Sequence, residues 1–289
     1  MGEMLARLEP LYLFNEGSNP VELLSKVTFD PSKKIADFFS QTELRLVEEV
    51  WNAPQGPAAA GWRSNVLGWL LDTTDGQLSY GQTEYAQYFA SAKDKALFSS
   101  VVENSFTAGV GCAVLSADGY FLVQQRVEGL LAGRRLDSSA AGMGLVREGK
   151  LDFYSGVKEK LQRELNLGEN VVGNTLVPTG IHGATDYVSS QVTWKCEVAL
   201  SLEELMAKAN PKFVERVHLV GKDDLPDFLI KHYVPPGNEP EKSLIGDAVG
   251  VFLRALDEDA RAYAIGKMNS NGADIRYGVF RNGEFEEHL

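Results

Sequence analysis

Over residues 41–51 (QTELRLVEEVW), Leu44, Val47 and Trp51 fall at helical spacing, with Glu and Arg elsewhere, and predict an amphipathic helix. The Pro/Gly/Ala stretch at 53–61 predicts a loop. NVLGWLLDTTDGQLSYG then predicts strand, Asp-Gly turn and strand, and TEYAQYFASA a second helix. The pattern changes near residue 107. GVGCAVLSADGYFLVQQR is an apolar run, an Ala-Asp-Gly turn and a second apolar run, which predicts a hairpin. A Gly-rich loop, LAGRRLDSSAAGMGLVREGK, follows. A helix comes next, from about 153 to 166, with Val157, Leu161 and Leu165 at i, i+4 and i+8 in one stripe that faces a sheet. Residues 189–199 alternate as a strand, 201–209 form a helix, and VERVHLV is another strand. DDLPDFLIKH is a capped helix and SLIGDAVGVFLRAL a long helix containing two glycines. After Asp257 the chain turns polar, as a loosely attached tail or a terminal hairpin over GVFRNGEF.

The predicted fold class is therefore α+β. A mixed sheet sandwiched between helices occupies 106–256, preceded by a small α+β subdomain at 1–105 and followed by 257–289.

Composition narrows the function classes. The chain has 289 residues, with 28 Lys+Arg against 40 Asp+Glu and a formal net charge of −12. That acidity argues against nucleic acid and against an anionic membrane as partners, because both select clustered cations. It leaves room for a small basic pocket that takes one phosphate group. Cys112 and Cys196 are too few for a disulfide framework and lack zinc spacing, so they are expected as small apolar core residues. No apolar run approaches about 18 residues, so no transmembrane helix is expected. Met1–Ser18, with Glu3, Arg7, Glu9 and Glu16, has no signal-peptide shape, and a cytoplasmic location follows as the expectation. Trp51, Trp62, Trp69 and Tyr85 are expected in the core, and His182, His218, His232 and His288 have no paired metal spacing. There is no P-loop and no GxSxG elbow.

The chemistry-bearing stretch is the hairpin, the Gly-rich loop and the helix ending in RELNLG. It resembles the Nudix superfamily, whose loop–helix–loop box is G-x5-E-x7-R-E-U-x-E-E-x-G-U, with U aliphatic. Leu161, Leu165, Asn166 and Leu167 match the aliphatic, variable, glycine and aliphatic positions, and Gly142 or Gly144 the opening glycine. Glu164 falls on the last glutamate of the box. The resemblance implies a Mg²⁺ or Mn²⁺ cofactor held by carboxylates on one helical face, polarising a phosphorus and activating water. Other box positions are inverted. Glu159 stands at the Arg, Lys160 at the following Glu, Arg163 at the first Glu of the pair, and Lys150 at the loop acid, two residues from Glu148. Glu159–Arg163 and Lys160–Glu164 are spaced as i, i+4 ion pairs.

A narrower resemblance is to Nudix members that carry an N-terminal extension and cleave UDP-glucose and UDP-galactose. It rests on Trp51, the NVLGWLLD strand, Thr83-Glu84-Tyr85 and the stretch TGIHGATDYVSSQVTWKCEVALSLEEL.

Two functions follow. In the first, a Mg²⁺-dependent hydrolase of a nucleoside diphosphate-linked molecule uses Glu164 as the main metal ligand and Glu148 and Glu215 as auxiliary acids. In the second, a catalytically inactive relative binds a nucleotide-like ligand or a protein partner, with Lys160 and Arg163 replacing the metal's charge. Arg126, Arg134, Arg135 and Arg147 are candidate phosphate contacts in either case, because guanidinium forks suit phosphate oxygens. Tyr187 and Trp194 are candidates for stacking on a base, with sheet packing the competing role. A homodimer is one assembly the sequence allows.

Overall fold

The computed structural model describes residues 10–15, 19–53, 63, 65–74, 77–93, 106–128, 133–144, 146–168, 175–185, 189–234, 239–281 and 284–287. Trp62, Tyr187 and His288 lie outside the described residues, as does most of the 53–61 stretch. The first part holds β1 (Leu11–Phe14), α1 (Pro20–Ser25), β2 (Val27–Lys34), α2 (Gln41–Asn52), β3 (Val66–Asp72), β4 (Leu78–Glu84) and α3 (Tyr85–Lys93). Helix α2 starts one residue after Ser40 because Ser40 and Glu43 form a reciprocal capping box, at 2.7 and 3.2 Å.

The central part runs β5 (Thr107–Leu115), β6 (Tyr120–Arg126), β7 (Leu136–Asp137), β8 (Ala140–Met143), β9 (Val146–Arg147), β10 (Lys150–Leu151) and α4 (Phe153–Leu165). It continues with β11 (Val177–Ala184), β12 (Ser189–Glu197), α5 (Leu202–Lys208), β13 (Val214–Gly221), α6 (Leu225–His232) and α7 (Gly246–Ala255). Residues after Asp257 form α8 (Glu258–Ser270), β14 (Ile275–Arg281) and β15 (Glu284–Glu287).

Strand β5 is buried along its whole length, and its alternation explains why it reads as a continuous apolar run. Ala108, Val110, Cys112 and Val114 join one core with Val157, Leu161 and Leu165 of α4. Ala113 and Leu115 point the other way, into a core with Val249, Val251 and Phe252 of α7. The mixed sheet is thus flanked by helices on both faces, as the α+β prediction requires. Strand β5 is parallel to β12 and antiparallel to β6 and β8.

The strand order is β13-β6-β5-β12-β11-β1-β14-β3-β4-β2, and β3 also meets β5 through Trp69 and Thr107. Strand β1 pairs in parallel with β14, from Leu11–Ile275 to Phe14–Gly278. Six strands, β5, β12, β11, β1, β14 and β3, therefore form an unbroken circuit. Tyr12, Phe14, Phe106 and Phe285 cluster there, with Tyr12 and Phe285 centroids 4.3 Å apart and Phe14 and Phe106 centroids 5.8 Å apart. Strands from both sides of the predicted boundaries at 105 and 257 hydrogen-bond within this one sheet.

The β5–β6 hairpin differs from the simple form the sequence suggests. After the Leu115–Phe121 pair the two strands part, β8 bonds β5 and β7 bonds β6. Ser139 stitches the gap: its hydroxyl accepts from Val114 N–H at 2.8 Å and donates to Leu122 O at 2.5 Å. The Gly-rich loop is therefore pulled into the sheet, not left over it.

The two glycines predicted inside the long helix prove to open and line α7. Gly250 lies against the wholly buried His182 ring of β11, and a Cβ there would sit 2.4 Å from the imidazole. Gly250→Ala is expected to destabilise the protein by about 1–3 kcal/mol through overpacking. Urea unfolding would show it as a lowered midpoint with an unchanged slope.

Candidate functional site

Helix α4 is fixed at both ends. Asp152 caps its start, accepting from Ser155 N–H at 2.9 Å and from the Ser155 hydroxyl at 2.7 Å. Asn166 ends it in the left-handed region at φ 51°, donating to Gln162 O at 3.1 Å. Asparagine adopts that conformation more readily than other side chains, so it can stand at a position where a box would carry glycine. With the apolar stripe buried on β5, the adjoining face turns Lys160, Arg163 and Glu164 toward β6 and β8.

Glu164 is 4% exposed and fully engaged. One carboxylate oxygen accepts from Gln124 Nε2 at 3.0 Å and from Ala141 N–H at 3.2 Å. The other accepts from Arg163. The predicted i, i+4 pairs do not form. Arg147 takes Glu159, and Arg163 takes its own neighbour Glu164 while its guanidinium lies 4.7 Å over Phe213. Lys160 is left with no carboxylate within ion-pair distance among the described residues, and it is 7% exposed. Burial, with the Arg163 charge beside it, pushes its pKa down to about 8 against the pull of Glu164 and Glu159. Its ammonium abuts Gly142, where a Cβ would lie 2.9 Å from Nζ.

Beside Glu164 lies a second buried carboxylate that sequence reasoning missed. Asp137 is wholly buried and accepts from Arg126 at 2.6 Å and from Ser138 N–H at 2.7 Å. Burial raises its pKa, opposed by Arg126 and the Ser138 N–H. Arg126 also stands in the field of Glu164 and of Tyr88 on α3, and Tyr85 of the same helix in that of Arg126 and Arg163. The cluster therefore sets Arg126, Lys160 and Arg163 against Glu164 and Asp137, with the buried Asp247 in the field of Asp137. Alternation in QQR and the DSS triplet were its only sequence signals, and neither marks Asp137 as buried.

The remaining candidates are not part of this cluster, although the charge of Arg147 acts on Lys160. Glu148 is exposed at φ 50° and, with Gly149, forms the two-residue turn between β9 and β10. Glu215 is exposed at the irregularity in β13, and Arg134 is exposed and paired with Glu128 at 2.7 Å. Arg135 is buried and donates to Leu244 O, and Arg147 is exposed on Glu159. Trp194 is buried in the sheet against Tyr154 of α4, its indole 5.8 Å away.

These positions test the implied metal. A divalent cation needs several free carboxylate oxygens converging on one point. Here both Glu164 oxygens already accept hydrogen bonds, Glu148 and Glu215 are surface residues, and three cations surround the carboxylate. The residues present do not fit Mg²⁺ or Mn²⁺ at Glu164, and no group of three His, Cys, Asp or Glu suited to a metal occurs among the described residues.

No family model matches the chain, and no curated protein matches it. Among solved structures it is similar to DR0079 from Deinococcus radiodurans, at 15% identity and TM-score 0.34 over 46% of this chain and 78% of that one. It is also similar to a Nudix hydrolase from Nitrosomonas europaea, at 10% identity and TM-score 0.28 over 57% of this chain and 90% of that one. Neither likeness is close enough to carry an argument.

The Lys160 environment has a consequence for stability. Between about 8 and the ordinary lysine value of 10.5 the unfolded chain holds a proton that the folded chain does not. Stability contributed at this residue therefore rises with pH across that window, and below it the cost of burying the charge is fully present. Lys160→Met is expected to stabilise the protein at pH 7 by roughly 1–3 kcal/mol, with the advantage shrinking as pH rises through the window. Thermal melts of both proteins at the two ends of the window check it.

Proposed function

We propose that this protein is a Nudix-like binder of a nucleoside diphosphate-linked small molecule, a UDP-sugar first among them, held by fixed cations in place of a divalent metal. The observation that carries this reading is Lys160. It is buried, has no acid partner among the described residues, and stands at a box position that the resemblance assigns to an acid. Arg163 stands beside it and Arg126 shares the field of Glu164, each with a buried Nε that has no hydrogen-bond partner among the described residues. Guanidinium forks and one ammonium suit the oxygens of two linked phosphates. The match of Leu161, Glu164, Leu165, Asn166 and Leu167 to the box supports the family part of the reading, and the N-terminal resemblance supports the sugar-nucleotide part.

A fixed ammonium neutralises phosphate charge but does not lower the pKa of a bound water as a metal does. In this reading the site binds its ligand without turning it over. Glu164 then acts as the counter-charge that orients Arg163 and the β8 backbone.

Isothermal titration with UDP-glucose and ADP-ribose is expected to give the same affinity in EDTA and in Mg²⁺. Lys160→Gln and Arg163→Gln are each expected to weaken it about tenfold or more, the loss of about one charge-assisted contact. Metal-dependent release of a nucleoside monophosphate, abolished in Glu164→Gln, would replace this reading with the hydrolase one.

A further inference from the structure

Diphosphate binding uses the charge of Lys160 but not its chemistry as an amine. The stem of this side chain crosses to β8 and its end is fixed there, with a Cβ on Gly142 placed 2.7 Å from Cε and 2.9 Å from Nζ. Its two acidic helix neighbours are engaged elsewhere, Glu164 by Gln124, Ala141 and Arg163, and Glu159 by Arg147. The other charged groups facing it are cations, Arg163 on its own helix and Arg147 from β9. An amine with its acids withdrawn and cations beside it is favoured in its neutral, nucleophilic form. The cluster is open on the side of Arg163, whose side chain is 32% exposed.

We propose that Lys160 is a nucleophilic lysine that acyl phosphates modify, entering the cation cluster phosphate first, and that the modification closes the anion site. This rests on the reading of the cluster as a phosphate site. An acyl phosphate joins the two features the cluster selects, a phosphate dianion and an electrophilic carbonyl. The Lys160 nitrogen attacks the acyl carbon and a C–N bond forms. The C–O bond to phosphorus-bound oxygen breaks, and the phosphate leaves with the bonding pair and takes up the amine proton as hydrogen phosphate. The amide that remains carries no charge. Arg163 then faces a neutral group where the phosphate site had its ammonium.

The test uses the full chain, acetyl phosphate and peptide mass spectrometry. Lys160 is expected to be acetylated about tenfold faster than the exposed Lys26 and Lys150, since a desolvated lysine beside cations is the activated one. Excess inorganic phosphate is expected to protect Lys160 and not the exposed lysines. Arg163→Gln removes a cation that favours the neutral amine, so it should slow both reactions, but that with acetyl phosphate several-fold more than that with the uncharged reagent acetic anhydride. A Lys160 rate no greater than that of the exposed lysines, or equal loss of rate with both reagents in Arg163→Gln, would overturn the proposal. Titration of unmodified protein with UDP-glucose separates the two readings. Ligand binding without preferential acetylation removes this inference and leaves the binding function standing. Preferential acetylation that phosphate does not block removes the phosphate-first route.

Discussion

The carboxylate of Glu164 is the constraint around which this part of the molecule is organised. Its oxygens gather a side-chain amide from β6, a backbone N–H from β8 and the guanidinium of Arg163. A buried carboxylate is costly unless such donors surround it, and here three separate elements supply them. The same bonds lock α4 against the β6–β8 seam that Ser139 closes from the other side. With its acceptors filled, Glu164 is a hub of structure, and the chemistry available to the surface around it passes to the cations.

That transfer shapes the electrostatics. An acidic chain with net charge −12 gathers Arg126, Lys160 and Arg163 about one buried carboxylate. A charge in low-dielectric surroundings counts for more than one on the surface. Arg134 and Arg147, exposed and paired with Glu128 and Glu159, add little by comparison. The acidic exterior also disfavours long polyanions, which would meet repulsion over most of their length, and leaves a compact anion as the partner the charge pattern tolerates.

Much of the architecture was legible in the sequence because it rests on periodicity. The Val157–Leu161–Leu165 stripe, the helix over 41–51 and the apolar run that becomes β5 each follow from local spacing. The parts that were not legible rest on long-range pairing. Strand β1 and strand β14 find each other across almost the whole chain, and nothing in either segment names its partner. The Glu164 site illustrates the same limit. The i, i+4 spacing of Lys160 and Glu164 suggested a pair, but tertiary donors from Gln124 and Ala141 took the carboxylate first. Asp137 was invisible because its burial depends on β7 entering the sheet, a consequence of the Ser139 stitch.

The parallel contact of β1 with β14 also bears on how the chain is made. During synthesis β1 and β3 emerge early, yet the strand that joins them comes after every helix described here. Until it arrives, β1 and β3 present open edges, and apolar rings such as Tyr12 and Phe14 have no Phe285 to cover them. Closure of the circuit is thus a late, non-local event, which slows folding and lengthens exposure of those edges. The open edge of β1 is thus a segment that gains from shielding until β14 arrives and pairs with it from Leu11–Ile275 to Phe14–Gly278.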